Sequence, residues 1–321
     1  MVIGSRTTAA GGAARSLRTA DLLALGVSPE ELRGPRWRSP FRGHHTPMVA
    51  SPESPRQRIL DVVELIPPGG AIAGWSAGFL LDATELDGRG RSGRETLDVV
   101  VMVPRGHHPS PRDGVRFLRS ALAEDDVVEV DGVPVTGRVR TAFDLARGST
   151  AEEGLVDTDI LCRQLALEPA SVLAYAEEHA GLRGAPVARM VLSMVDPRSR
   201  SSGESRLRYI WLVEAGLPRP ECNPYIAAED GQVVAMPDLL DVGSGLCGEY
   251  DGAKHRQLDG HTADNAREEQ LEDMGLVLVR ATSLDVGPFR ARTVQRLRAG
   301  QRRAEGQVGQ WGWRPSPWRA R

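Results

Sequence analysis

Apolar and polar positions change period several times along this chain, and each change predicts a different element. In Leu17–Arg33, LRTADLLALGVSPEELR, apolar residues recur at helical spacing, break at Gly-Val-Ser, and resume after Ser28-Pro29, a serine cap ahead of a proline-opened helix. Helix, turn, helix is the prediction, with Trp37, Phe41 and the RGHHTP run as strands of a wing; the same helix pair is also common in proteins that never meet DNA. From 57 to 145 the period alternates: QRILDVVELIP and WSAGFLLDAT predict helices, while TLDVVVMVP and DVVEVDGVPVTG predict strands. RTAFDLAR, EEGLVDTDILCRQLA, SVLAYAEEHA and APVARMVLSMV then continue as amphipathic helices to about Val195.

DPRSRSSGES, polar and serine-rich, interrupts this pattern and predicts a linker over 196–200. Beyond it SGESRLRYIWLVEAG predicts a helix that Gly216 and Pro218 stop. NPYIAAE predicts a strand, Asp230-Gly231 a hairpin turn, QVVAMPDLLDV a second strand, and LCGEYDG a third after the Gly243-Ser244-Gly245 turn. The helix TADNAREEQLEDMG then crosses to a last strand, LVLVRAT, so the order is αβββαβ. The division that follows is a disordered leader 1–16, a helix-turn-helix region 17–60, a mixed α/β middle 61–195, the linker, a C-terminal domain 201–289 and a basic tail 290–321. The fold class is α/β in the α+β sense.

Composition sharpens this picture in three places. A chain of 321 residues suits more than one core, and it has no apolar run long enough for a membrane span and no secretory core, so no membrane partner is expected and the cytoplasm is the expected compartment. Three cysteines, Cys162, Cys222 and Cys247, are too scattered for a disulfide framework or a structural zinc site. The net charge of −3 hides a segregation: residues 1–60 hold nine arginines against four acids, and 290–321 hold nine against Glu305 alone. With Trp311, Trp313 and Trp318 nearby, the basic tail reads either as a segment that meets phosphate and stacks on bases or as a solubilising tail. Lys254 is the single lysine, so arginine is this chain's general positive charge. The paired histidines His44-His45 and His107-His108 lack the spacing of one metal site and read as surface loop residues.

The acids carry the chemistry. In the predicted order Asp238 lies on one strand and Glu249 on the next, so the two carboxylates approach across the pair, and Glu204 joins from the first turn of the helix. Hard divalent cations take oxygen ligands and keep several waters, so such a cluster suits magnesium, or manganese, beside a nucleic-acid phosphate. Phosphodiester hydrolysis is the reaction implied. Arg267, on the crossover helix, and Arg280, on the last strand, are open to two roles, phosphate contact or ion pairing with the acids. No glycine-rich phosphate loop, nucleophile elbow or paired Cys/His motif is present, so no organic cofactor is expected.

ESRLR, MPDLLD, EYDGAKH, DNAREEQLEDMG and VLVRATSLD occur in an order that resembles the PD-(D/E)XK nuclease superfamily, and within it the very-short-patch-repair-like endonuclease domains. The resemblance covers about a quarter of the chain, from Glu204 to Asp285. It implies a restriction-endonuclease-like core in which Asp238 is the PD aspartate, Glu249 the acid of the second motif, and Glu204 the helix carboxylate. Asp251 stands where the motif has lysine. The resemblance passes that role to His255, as general base or water holder, with Lys254 beside it. Leu17 to about Arg147, ending in VTGRVRTAFDLAR, is similar to the winged-helix amino-terminal region of AbiEi-type antitoxins. Together these imply a magnesium-dependent DNA endonuclease of a defence or repair system, possible as a homodimer; the alternative is a non-catalytic DNA-binding, antitoxin-like transcriptional regulator.

Overall fold

The computed structural model describes residues 13–48, 51–228, 230–252, 269–307 and 311–318. The chain is mixed α/β and divides into two compact units, Met1–Leu145 with Ala174–Ala185, and Ala146–Leu173 with Pro186–Arg321. Among the described residues no helix is long and apolar enough to cross a membrane.

The first unit opens with strand β1 (Leu17–Arg18), helices α1 (Thr19–Ala24) and α2 (Pro29–Arg33), and strands β2 (Trp37–Arg38) and β3 (His44–Pro47), the strands forming a small sheet in the order β1-β3-β2. A capping box starts α2: the Glu31 N–H donates to Ser28 Oγ at 3.2 Å and the Ser28 N–H to Glu31 Oε2 at 2.9 Å. Leu22, Val27 and Leu32 are buried here, with Leu17 and Trp37 packed against them. His44 and His45 are strand residues rather than loop residues, paired with Arg18 and Leu17.

Next come α3 (Pro55–Val62), β4 (Ala71–Ala73), α4 (Gly74–Leu80), β5 (Val99–Val103), β6 (Val115–Arg119), β7 (Val127–Val130), β8 (Val133–Thr136) and α5 (Arg138–Ala146). The sheet order is β6-β5-β4-β8-β7. Every residue of β5 is buried, which is why that strand reads as an unbroken apolar run. The β7–β8 hairpin turns at Asp131-Gly132, where φ is 51° and 71°, the left-handed pair that a tight hairpin needs. Arg140 of the RTAFDLA text is buried, donating to Asp126 and Asp144, each at 2.9 Å, and Tyr175 donates to Asp126 at 2.7 Å. That text therefore holds the unit together.

In sequence, α6 (Ala151–Leu165) belongs to the second unit, while α7 (Pro169–Glu178) and α8 (Ala185–Leu192) each cross the division. The second unit continues with α9 (Ser202–Tyr209), a single π turn at Ile210–Glu214, β9 (Glu221–Cys222), β10 (Tyr225–Ala227), β11 (Val233–Ala235), β12 (Leu239–Asp241), β13 (Leu246–Asp251), β14 (Val277–Thr282), α10 (Arg290–Ala304) and β15 (Gly312–Arg314). Its main sheet runs β14-β13-β12-β9, with β13 and β14 parallel and the other pairs antiparallel. A second sheet runs β11-β10-β15. Strand alternation sends Leu239, Leu246, Val277 and Val279 into one core with Leu207, Trp211 and Leu297. It sends Leu240 and Cys247 into another with Ile226, Ala235, Leu271 and Leu276. Both faces of the main sheet are thus covered.

Three stretches differ from expectation. Residues 196–200 are built into the unit: Ser199 is buried, and Arg198 holds Asp196 at 2.7 Å and Glu221 at 2.8 Å. QVVAMPDLLDV is two strands in two sheets, because Pro237 has no N–H to carry a ladder past it. Most of the expected tail is also ordered structure. In α10 the residues Thr293, Leu297, Gly300 and Ala304 are buried at helical spacing, and a Cβ on Gly300 would lie 2.8 Å from Leu246 and 3.1 Å from Val279. Gly312–Arg314 pairs in register with Tyr225–Ala227, which gives Trp313 a strand position.

Candidate functional site

The site is assembled where the β12 strand begins. Register carried one position beyond Leu239 sets Asp238 opposite Asn223 on one side and Glu249 on the other, and Glu249 is itself paired with Arg280. Asn223, Asp238, Glu249 and Arg280 therefore form one row across the four-stranded sheet. Alternation puts Asp251 on the same strand face as Glu249, two pairs further out, opposite Thr282.

Local hydrogen bonds fix the carboxylates. Ser201 caps α9 by accepting the Glu204 N–H at 3.2 Å, which places Glu204, buried, in the first turn. Its Oε2 accepts from the Arg200 N–H at 2.8 Å and from Asn223 Nδ2 at 2.9 Å. Asn223 adopts a left-handed φ of 50°; its side chain also donates to the Arg198 carbonyl at 3.0 Å and its N–H to the Asp238 carbonyl at 2.9 Å. One asparagine thus couples the helix carboxylate to the strand that carries Asp238. Asp238 Oδ2 accepts the Tyr250 N–H at 2.6 Å. The Tyr250 ring lies against Gly203 so closely that any side chain at 203 would overlap it.

Burial pushes the Asp238 carboxyl up to about 7, and the neighbouring charges of Glu204 and then Glu249 push in the same direction against the Tyr250 N–H and the Arg200 guanidinium. Glu204 and Glu249 are thus both near enough for Asp238 to feel their charge, as two acids sharing a site do. Glu249 also lies 3.6 Å from the Arg280 guanidinium, so of the two roles open to Arg280 the structure holds the ion pair. Among the described residues no three His, Cys, Asp or Glu side chains close to metal-holding distance. Lys254, His255 and Arg267 lie outside the described residues.

Four residues that sequence reasoning passed over complete the site: Arg200, Gly203, Asn223 and Tyr250. Arg200 is exposed, its Nη2 is 2.9 Å from the Met236 sulfur, and Met236 stands two positions before Asp238. A signal existed only for Asn223, whose place before Pro224 marks a turn. Behind the site, Arg208 is fully buried and bonded to Asp159, Ser199 and Cys222, tying α6 to α9 and β9. Burial alone would lower Arg208, but the Asp159 carboxylate holds it above its ordinary value, and burial pushes the Cys222 thiol up to about 12. This network is structural. No family model, curated protein or solved structure matches this chain.

Proposed function

We propose that the chain is a divalent-metal-dependent DNA endonuclease whose second unit is a restriction-endonuclease-like core of the PD-(D/E)XK kind. The observation that carries this is the row in which Asp238 and Glu249 sit side by side at the start of β12, with Glu204 brought up by Asn223. The parallel β13–β14 pair beside an antiparallel β12–β13 hairpin supports the topology of that reading.

The donors fit a hard cation: all are carboxylate oxygens, and the excess negative charge around Asp238 is what a divalent ion relieves. Asp238 and Glu249 would hold it, with Glu204 behind them. Bound there, magnesium or manganese would supply an ionised water and neutralise charge on the phosphate. The chain's own residues do the rest: the Tyr250 N–H aims Asp238, Asn223 and the Arg200 N–H aim Glu204, and the Arg200 guanidinium faces the phosphate oxygens. His255 is the proposed proton acceptor, Asp251 and Lys254 are assigned to the same reaction, and Arg267 to contact with the nucleic acid. Water adds to phosphorus and a P–O ester bond breaks, leaving a phosphate monoester and a free hydroxyl. In the first unit, we assign DNA contact to the α1–α2 pair and the strands after it, where Arg33 at the end of α2, Arg36 ahead of β2 and Arg42 between β2 and β3 are exposed.

The test is cleavage of supercoiled, linear and mismatched DNA with magnesium or manganese, comparing the protein with its Glu249→Ala variant. Metal-dependent nicking that the variant loses is the expected result. Two observations favour a second reading, the non-catalytic regulator: Arg280 already engages Glu249, and Asp251 stands where the resemblance calls for a cation. DNA binding without cutting, unchanged by the substitution, would decide for it.

A further inference from the structure

Between Arg290 and Ala304 the helix α10 carries six arginines and no acid. Its apolar stripe is spent on the sheet, and two of the arginines are spent inside the unit. Arg290 pairs with Glu152 at 3.0 Å and Glu214 at 2.6 Å, while Arg298 donates to the carbonyls of Ala215 at 3.1 Å and Glu214 at 2.8 Å. Arg292, Arg296, Arg302 and Arg303 are exposed. At 100° per residue, Arg292, Arg296 and Arg303 fall within about 40° of one line, and at the helical rise that line is about 16 Å long. Arg292 lies over the exposed Phe289 ring at 5.7 Å, and Arg296 makes a long, partly exposed ion pair with Asp285 at 3.9 Å. Among the described residues no acid pairs with Arg302 or Arg303.

We propose that the stripe Arg292, Arg296 and Arg303 is a docking surface for the phosphate backbone of duplex DNA. A row of exposed guanidinium groups on a rigid helix, with the acid Asp285 beside it, complements a fixed row of phosphates, and it reads charge rather than sequence. An anionic membrane is a poorer match, because insertion needs an apolar face and the apolar face of α10 is buried in the core. The proposal rests on the nuclease reading only in naming nucleic acid as the polyanion.

The experiment measures binding of the full chain to a labelled duplex in chelator, over a series of salt concentrations. Two variants are compared with the unaltered protein: Arg292→Gln/Arg296→Gln/Arg303→Gln, and a charge-reversed pair, Arg292→Glu/Arg303→Glu. Three lost phosphate contacts should weaken binding at least tenfold near physiological salt and lower the slope of log K against log salt by about 3. The reversed pair should weaken binding by a similar factor or more. Equal affinity and slope in the folded variants, no duplex binding by the unaltered protein, or a loss confined to anionic vesicles would each overturn the surface. Cutting is scored separately: a protein that binds through this stripe yet never cleaves sinks the endonuclease alone, and one that cleaves with both variants binding normally sinks the surface alone.

Discussion

Asp238 is the residue on which the site turns, because its carboxyl is pushed up to about 7 by burial and by Glu204 and Glu249. A carboxyl raised on folding contributes stability that is fully present below its unfolded value and is lost as pH rises through the folded value. The metal-free protein should therefore lose thermal stability as pH rises from about 4 to about 7, and Asp238→Asn should flatten that loss. Unfolding midpoints measured in chelator across this range test it, and a midpoint that climbs with pH would reverse the assignment. Arg200 gives a second prediction at the same scale. If its guanidinium faces the phosphate, Arg200→Ala should cut turnover by about tenfold to a hundredfold, and Arg200→Lys should restore part of it, since a lysine keeps the charge and loses the fork. Single-turnover cleavage at saturating metal measures this, and rates in both variants equal to that of the unaltered protein would remove Arg200 from the site.

At the scale of elements, α9 is held from two sides. Tyr250 presses on Gly203 at its start, and Arg208 ties its last turn to Asp159 on α6. Arg208→Ala leaves Asp159 buried without its partner and should destabilise by about 3–5 kcal/mol, whereas replacing the pair together, Arg208→Met with Asp159→Leu, should recover most of that. Urea unfolding of the single and double variants is the measurement; equal losses in both would show that the pair does not hold the element. None of this was legible in the sequence, because Arg208 and Asp159 are 49 positions apart and no local pattern marks a buried ion pair. What was legible is the alternation in LVLVRAT and LCGEYDG, where period two over a few residues names a strand directly. The start of β12 was half legible: Pro237 announces a break, but the sheet each half joins depends on partners elsewhere. In α10 the signal was hidden, since the buried stripe is Thr293, Leu297, Gly300 and Ala304, and three of those four side chains are small among six arginines.

At the scale of the molecule, every carboxylate of the site belongs to the second unit: α9 carries Glu204, Asp238 directly precedes β12, and β13 carries Glu249 and Asp251. A sequence read window by window places these acids in order but not in space, because the Asn223–Glu204 bond and the β10–β15 pairing join segments far apart along the chain. The confinement of the site has a consequence for ligand binding. A cation that binds the folded state alone stabilises it by mass action, so at about a hundredfold excess over its dissociation constant it should add about 2.7 kcal/mol. That gain should be read by the amides that open only when the second unit unfolds. Hydrogen exchange with and without manganese should thus show slower exchange at Asn223, Tyr250 and the β13–β14 ladder, with Val99–Val103 of the first unit unchanged. Glu249→Ala should abolish the difference. Equal protection in both units, or protection that survives the substitution, would place the cation elsewhere than on the Asp238–Glu249 row.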